Sequence, residues 1–138
     1  MKKLLMVVLA FLTINNQHVF GQAKAEKVVF QLASNDVEVH KALLRQLGNI
    51  KKARPDMVIE VVCHNMGIDF LLTDKTTVAD QIRDLVKQNI QFVACENTLK
   101  QKNILKSAVL TEAGYVESGL IEVLDRQAQG WGYIKAGF

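Results

Sequence analysis

The sequence predicts an α/β protein, a five-stranded parallel sheet with helices packed on both faces. Three observations predict it. Short apolar runs of strand length alternate along the chain with stretches whose apolar residues recur at helical spacing. The first of those runs is short and mostly apolar, as strands buried on both faces are. Capping or turn residues separate the two kinds of segment.

In order, Lys27-Val28-Val29-Phe30-Gln31-Leu32 reads as the first strand. Ser34-Asn35-Asp36 then supplies N-cap chemistry. Val37, His40, Leu43, Leu44 and Leu47 recur at helical spacing to a predicted end near Gly48. Pro55 punctuates, and Met57 to Cys63 is the second strand. Thr77 with Asp80 has the spacing of a capping box, opening a helix with Val78, Ile82, Leu85 and Val86 on its apolar face. Gln91 to Ala94 is the third strand, with a helical piece from Glu96 to about Lys102. Ile104 to Leu110 is apolar without a clear period. Tyr115-Val116-Glu117 is a short fourth strand, and Ser118 caps a helix carrying Leu120, Ile121, Val123 and Leu124. Trp131 to Lys135 is the fifth strand. Strands that alternate with helices in this way pair in parallel.

The 138 residues make one domain, and 49% hydrophobic with 22% charged residues is ordinary globular composition. There is one proline and no repeat or low-complexity tract. The chain has no lysine or arginine block, aromatic platform or zinc spacing, which argues against nucleic acid as a partner. Without a phosphate-binding glycine loop, nucleotide binding is unsupported. No metal and no cofactor is expected.

The first 21 residues have the pattern of a secretory signal peptide. Lys2 and Lys3 form a charged start, and Leu4 to Ile14 is apolar apart from Thr13. That stretch is about half of what a membrane span requires. Val19 and Gly21 permit cleavage before Gln22, with Ala23 and Ala25 offering alternatives, so the mature domain is 22–138. Removing Lys2 and Lys3 leaves 15 basic residues against 14 acidic ones, and a nearly neutral chain implies no electrostatic partner. No cysteine lies near the cleavage region, which excludes a lipid anchor there. The mature protein is expected in the periplasm or secreted, and off the membrane.

Cys95 is the most informative residue. It ends an apolar strand at the point where a helix begins, at the sheet edge where α/β proteins place their sites. A helix start favours a thiolate there. The other reading is a small buried hydrophobe, which most free cysteines are.

The order of elements, the cysteine after the third strand and the close on Gly130-Trp131-Gly132-Tyr133-Ile134 resemble the DsrE/DsrF-like family, and more narrowly its exported single-domain branch. The matching pieces are Val61-Val62-Cys63-His64-Asn65-Met66-Gly67-Ile68, Phe92-Val93-Ala94-Cys95-Glu96-Asn97-Thr98-Leu99, and Ser118-Gly119 leading into the last helix and strand. The resemblance runs from about Glu26 to Lys135. It implies a three-layer α/β/α domain assembled as a homotrimer or homohexamer. It also implies a sulfur relay in which Cys95 matches the cysteine that carries a persulfide between donor and acceptor proteins. The cytoplasmic tasks of relay members are not ones an exported chain can share directly.

The family's strand order sets the second and third strands side by side, which makes a Cys63–Cys95 disulfide conceivable in an oxidising compartment. His64 reads as a base or orienting partner for the thiolate, or as a polar loop residue. Gly67 sits where a loop approaches a ligand, or is a turn glycine. Backbone amides at Asn97 and Thr98 could stabilise an anion on Cys95, while Glu96 opposes one. His40 reads as a packed, hydrogen-bonded residue, and Trp131 and Tyr133 as core or subunit interface. The candidate site is therefore Cys95 as the catalytic thiol, with Cys63, His64, Gly67, Asn97 and Thr98 as binding residues. Two functions follow: a sulfur carrier acting through Cys95, or a non-catalytic oligomeric binding module in which Cys95 is structural.

Overall fold

The computed structural model describes residues 26–137. The signal peptide expected over 1–21, and residues 22–25 and 138 of the domain, lie outside the described residues. The elements are β1 (Lys27–Leu32), α1 (Val37–Ala53), β2 (Val58–Cys63), a 3-10 turn (Asn65–Leu71), α2 (Ala79–Val86), β3 (Ile90–Cys95), α3 (Glu96–Gln101), a second 3-10 turn (Lys106–Ala108), β4 (Gly114–Val116), α4 (Gly119–Ala128) and β5 (Gly132–Ala136). All strand pairings are parallel, in the order β4-β3-β2-β1-β5. The predicted α/β sheet of five parallel strands is therefore the fold, with β2 and β3 adjacent.

Alternation along each strand sends its side chains to two different layers. Val28, Phe30 and Leu32 of β1, Ile59, Val61 and Cys63 of β2, and Ile90, Phe92 and Ala94 of β3 share one face. They pack on Leu43, Leu44 and Leu47 of α1, Ile82 and Leu85 of α2, and Ile68 and Phe70 of the first 3-10 turn. On the opposite face Val29, Val62 and Val93 meet Val123 of α4 and Trp131. Cys63 pairs with Ala94 across the β2–β3 ladder, so Cys95, one residue on, belongs to the second face.

Several local expectations are corrected. Gly48 does not end α1, which continues to Ala53. Lys51 lies buried there, its Nζ donating to the carbonyls of Pro55 and Met57 at 2.9 and 2.8 Å. The helix stops where Arg54 precedes Pro55, since proline disfavours helical geometry in the residue before it. The capping box at Thr77 and Asp80 does not form. Val78 holds the cap position without a side-chain bond, and Asp80 pairs forward with Arg83 at 2.8 Å. Asp36 does cap α1, accepting from the Glu38 amide at 2.8 Å. His40 is packed and hydrogen-bonded as expected, edge-on to Phe70 and donating to the Ser34 carbonyl at 2.8 Å.

The last helix differs most. Ser118 stands at the cap of α4 but makes no capping bond. Of its four apolar residues only Val123 is buried, while Leu120, Ile121 and Leu124 are more than half exposed. Trp131 precedes β5 and is buried, with the Arg126 guanidinium 4.6 Å from its ring centroid. Arg126 also reaches the buried Glu60 carboxylate on the sheet at 2.6 Å. Burial outweighs that pairing and holds the Glu60 carboxyl above its ordinary range.

Candidate functional site

β2 and β3 end side by side at the carboxyl edge of the sheet, and the start of α4 is packed across their ends. Gly119 is what allows the approach. A Cβ placed there would lie 3.0 Å from the His64 Cβ, 3.1 Å from Val62 Cγ1 and 3.3 Å from the Cys95 Cβ. His64 and Cys95 thus flank one glycine, and with Asn65, Asn97, Thr98 and Ser118 they line a cavity of about 410 Å³.

Cys95 is both the last residue of β3 and the cap residue of α3. Its sulfur accepts from the Gly119 N–H, the first amide of α4, at 3.2 Å. The thiol lies 4.0 Å from the Glu117 carbonyl. Burial is the largest single influence on the thiol and pushes its pKa up. The Thr98 hydroxyl and the Gly119, Thr98 and Asn97 amides pull it down and together prevail, leaving it below the ordinary thiol value. The Asn97 amide also donates to the Glu117 carbonyl at 3.1 Å.

The Thr98 hydroxyl is available to Cys95 for a specific reason. Its oxygen accepts from the Asn65 N–H at 3.0 Å, which leaves its own proton free to donate. Asn65 reaches that position in the left-handed region, at φ 51°, which asparagine tolerates better than most residues. The charge of Glu96 is met by Lys106, whose hydrogen bond and charge hold that carboxyl below its usual range. The opposition expected from Glu96 is reduced accordingly.

Cys95, His64, Asn97 and Thr98 are therefore brought together. Cys63 and Gly67 are not among the residues that line this cavity. Cys63 is fully buried on the opposite face of the sheet, where burial pushes its thiol far above the ordinary range. Both cysteines are free. Gly67 packs on the end of β1, where a Cβ would stand 2.2 Å from the Leu32 carbonyl oxygen. It serves a close approach of backbone to backbone. Sequence reasoning did not assign Asn65 or Gly119 to the site. The Ser118-Gly119 pair was visible, but only the packing of α4 on the strand ends ties it to Cys95. Among the described residues no cluster of His, Cys, Asp and Glu could hold a metal ion, and no helix is long and apolar enough to cross a membrane.

No protein-family model matches the chain, and no curated protein matches it. Solved structures do. MTH1491 of Methanobacterium thermoautotrophicum, a protein of unknown function, superposes with a TM-score of 0.76 at 29% identity, over 80% of this chain and 98% of that one. BT1422 of Bacteroides thetaiotaomicron, a conserved protein of unknown function, gives 0.66 at 14% identity over 80% and 94% of the two chains. YchN of E. coli gives 0.61 at 13% over 81% and 99%. The five-stranded parallel α/β fold is shared with all three.

Proposed function

We propose that this protein is a sulfur carrier of the DsrE/DsrF-like kind, with Cys95 as the atom that holds the sulfur. The observation that carries the reading is the ring of donors around the Cys95 sulfur: the Gly119 amide at 3.2 Å, the Thr98 hydroxyl and the α3 amides. A structural cysteine has no need of them. They favour a thiolate, which is the nucleophilic form.

The chemistry is two exchanges at one sulfur. The Cys95 thiolate attacks the outer sulfur of a donor persulfide, R–S–SH. A new S–S bond forms to Cys95, the donor's S–S bond breaks, and its electron pair leaves on the inner sulfur as R–S⁻. An acceptor thiolate then attacks the outer sulfur of Cys95–S–SH, takes it, and returns Cys95 as the thiolate. No net oxidant or reductant is required. The donor and acceptor are thiol-bearing partners. The work is done in the periplasm or outside the cell, if residues 1–21 direct export. Exposed Leu120, Ile121 and Leu124 support assembly of the chain with copies of itself.

The test is the intact mass of purified full-length chain after exposure to inorganic polysulfide. The expected result is a gain of about one sulfur atom, absent from Cys95→Ser and retained in Cys63→Ala. A reduced Cys95 that reacts with an alkylating agent yet takes up no sulfur overturns the carrier reading. It would favour instead a binding module that uses the same cavity for a small ligand or a protein.

A further inference from the structure

One hydrogen-bond chain at the cavity takes no part in stabilising the thiolate. The Tyr133 hydroxyl donates to Gln31 Oε1. The nitrogen end of the Gln31 amide faces His64, whose Nε2 lies 2.9 Å away. An amide N–H only donates, so His64 Nε2 is the accepting nitrogen and the neutral ring carries its proton on Nδ1. Nδ1 has no hydrogen-bond partner among the described residues. Nor is it sealed, since among the described residues the one sealed side-chain atom without a partner is Trp131 Nε1. His64 lines the same cavity as Cys95.

We infer that Tyr133 and Gln31 are positioning residues, which hold His64 in the tautomer that presents Nδ1–H to the sulfur species entering the cavity. The inference rests on the sulfur-carrier reading for what is received there. When Cys95 attacks the outer sulfur of R–S–SH, negative charge gathers on the inner sulfur as the S–S bond breaks. A fixed N–H aimed at that sulfur is stronger in the transition state than before it, and no proton has to move. A neutral ring suits the task, because an imidazolium would pair with the Cys95 thiolate instead. Burial lowers the pKa of His64 and so favours the neutral form. The titratable groups that line the cavity with His64 are Cys95 at the end of β3 and Lys102, the residue after α3. The α4 residues at the cavity, Ser118, Gly119 and Leu120, are uncharged.

The experiment combines two readouts on the full chain. Two-bond ¹H–¹⁵N spectra of the imidazole are expected to show Nε2 unprotonated and Nδ1 protonated near neutral pH. Gln31→Leu gives a mixture of tautomers, and Tyr133→Phe a smaller shift the same way. With glutathione persulfide as donor, Gln31→Leu slows sulfur transfer to Cys95 by about tenfold. The pH midpoint of Cys95 alkylation stays where it was. His64→Asn, whose side-chain N–H stands in for Nδ1–H, keeps most of the rate, whereas His64→Gln, which reaches the Nε2 end, does not. A merely structural histidine would not separate those two variants. Normal sulfur uptake with a protonated Nε2, or with His64→Asn and His64→Gln equally slow, overturns this inference alone. No sulfur on Cys95 in any variant overturns the carrier reading, and with it the role given to Nδ1–H.

Discussion

Gly119→Ala is the sharpest perturbation of the site. The added methyl meets Cβ atoms of His64 and Cys95 at 3.0 and 3.3 Å, and Val62 Cγ1 at 3.1 Å. All three belong to the ends of β2 and β3, where neighbouring strands fix the backbone, so it is the start of α4 that must retreat by a few tenths of an ångström. Overpacking of this kind costs about 1–3 kcal/mol. Alanine returns part of that, since glycine within a helix is worth about 0.5–1 kcal/mol less. The net loss expected in urea unfolding is about 0–2.5 kcal/mol, centred near 1 kcal/mol. Retreat also lengthens the Gly119 N–H bond to sulfur, now 3.2 Å. A hydrogen bond to a charged group is worth about 1.5–3 kcal/mol, and one pKa unit corresponds to about 1.4 kcal/mol. Weakening that bond should raise the Cys95 thiol by about one unit. The assay is the pH dependence of iodoacetamide alkylation on the Cys63→Ala background. If stability falls while the alkylation midpoint stays in place, the Gly119 amide does not support the thiolate and the account of the site is wrong.

Other consequences can be checked alongside it. Gly67→Ala puts a Cβ 2.2 Å from the Leu32 carbonyl oxygen, a backbone atom of the central sheet. It should destabilise by about 3 kcal/mol or more, read as a lowered urea midpoint. A Gly67→Ala protein of unchanged stability would mean the turn is free to move. Glu60, held above its ordinary range by burial, binds its proton more tightly folded than unfolded. Its contribution is therefore favourable at acid pH and is lost as pH rises past the ordinary carboxylate value. Glu60→Gln should gain stability relative to wild type as pH rises above the ordinary carboxylate value, and a gap that narrows or reverses there contradicts the assignment. The chain is also expected to scatter light above monomer mass at micromolar concentration, and a monomer there removes the proposed self-association.

Much of the fold was legible because it is written locally. Val28 to Leu32, Val58 to Cys63 and the run ending at Cys95 are predominantly apolar stretches of strand length, each broken by a single polar residue. Such a run can be buried on both faces only in a parallel sheet covered by helices. The placement of Cys95 at a strand end and helix start was legible for the same reason. Helix ends were less so: Gly48 carries a stop signal, yet burial of Lys51 beyond it keeps the helix going.

What the sequence determined by itself, then, was the succession of strands and helices and the cysteine at one of their junctions, because periodicity and length are properties of neighbouring residues. The tertiary structure decided everything that depends on register and on layers. Cys63 and Cys95 look equivalent along the chain. Pairing Cys63 with Ala94 puts them on opposite faces, one sealed in the core and the other under the first amide of α4. The apolar residues of α4 have one helical pattern, but only Val123 finds the sheet, because a single helix covers that face near its valines. Gln31 reaches His64 across 33 residues of sequence, and Tyr133 reaches Gln31 across 102. No local pattern marks such partners, since through-space hydrogen bonds are set by strand order and not by spacing along the chain.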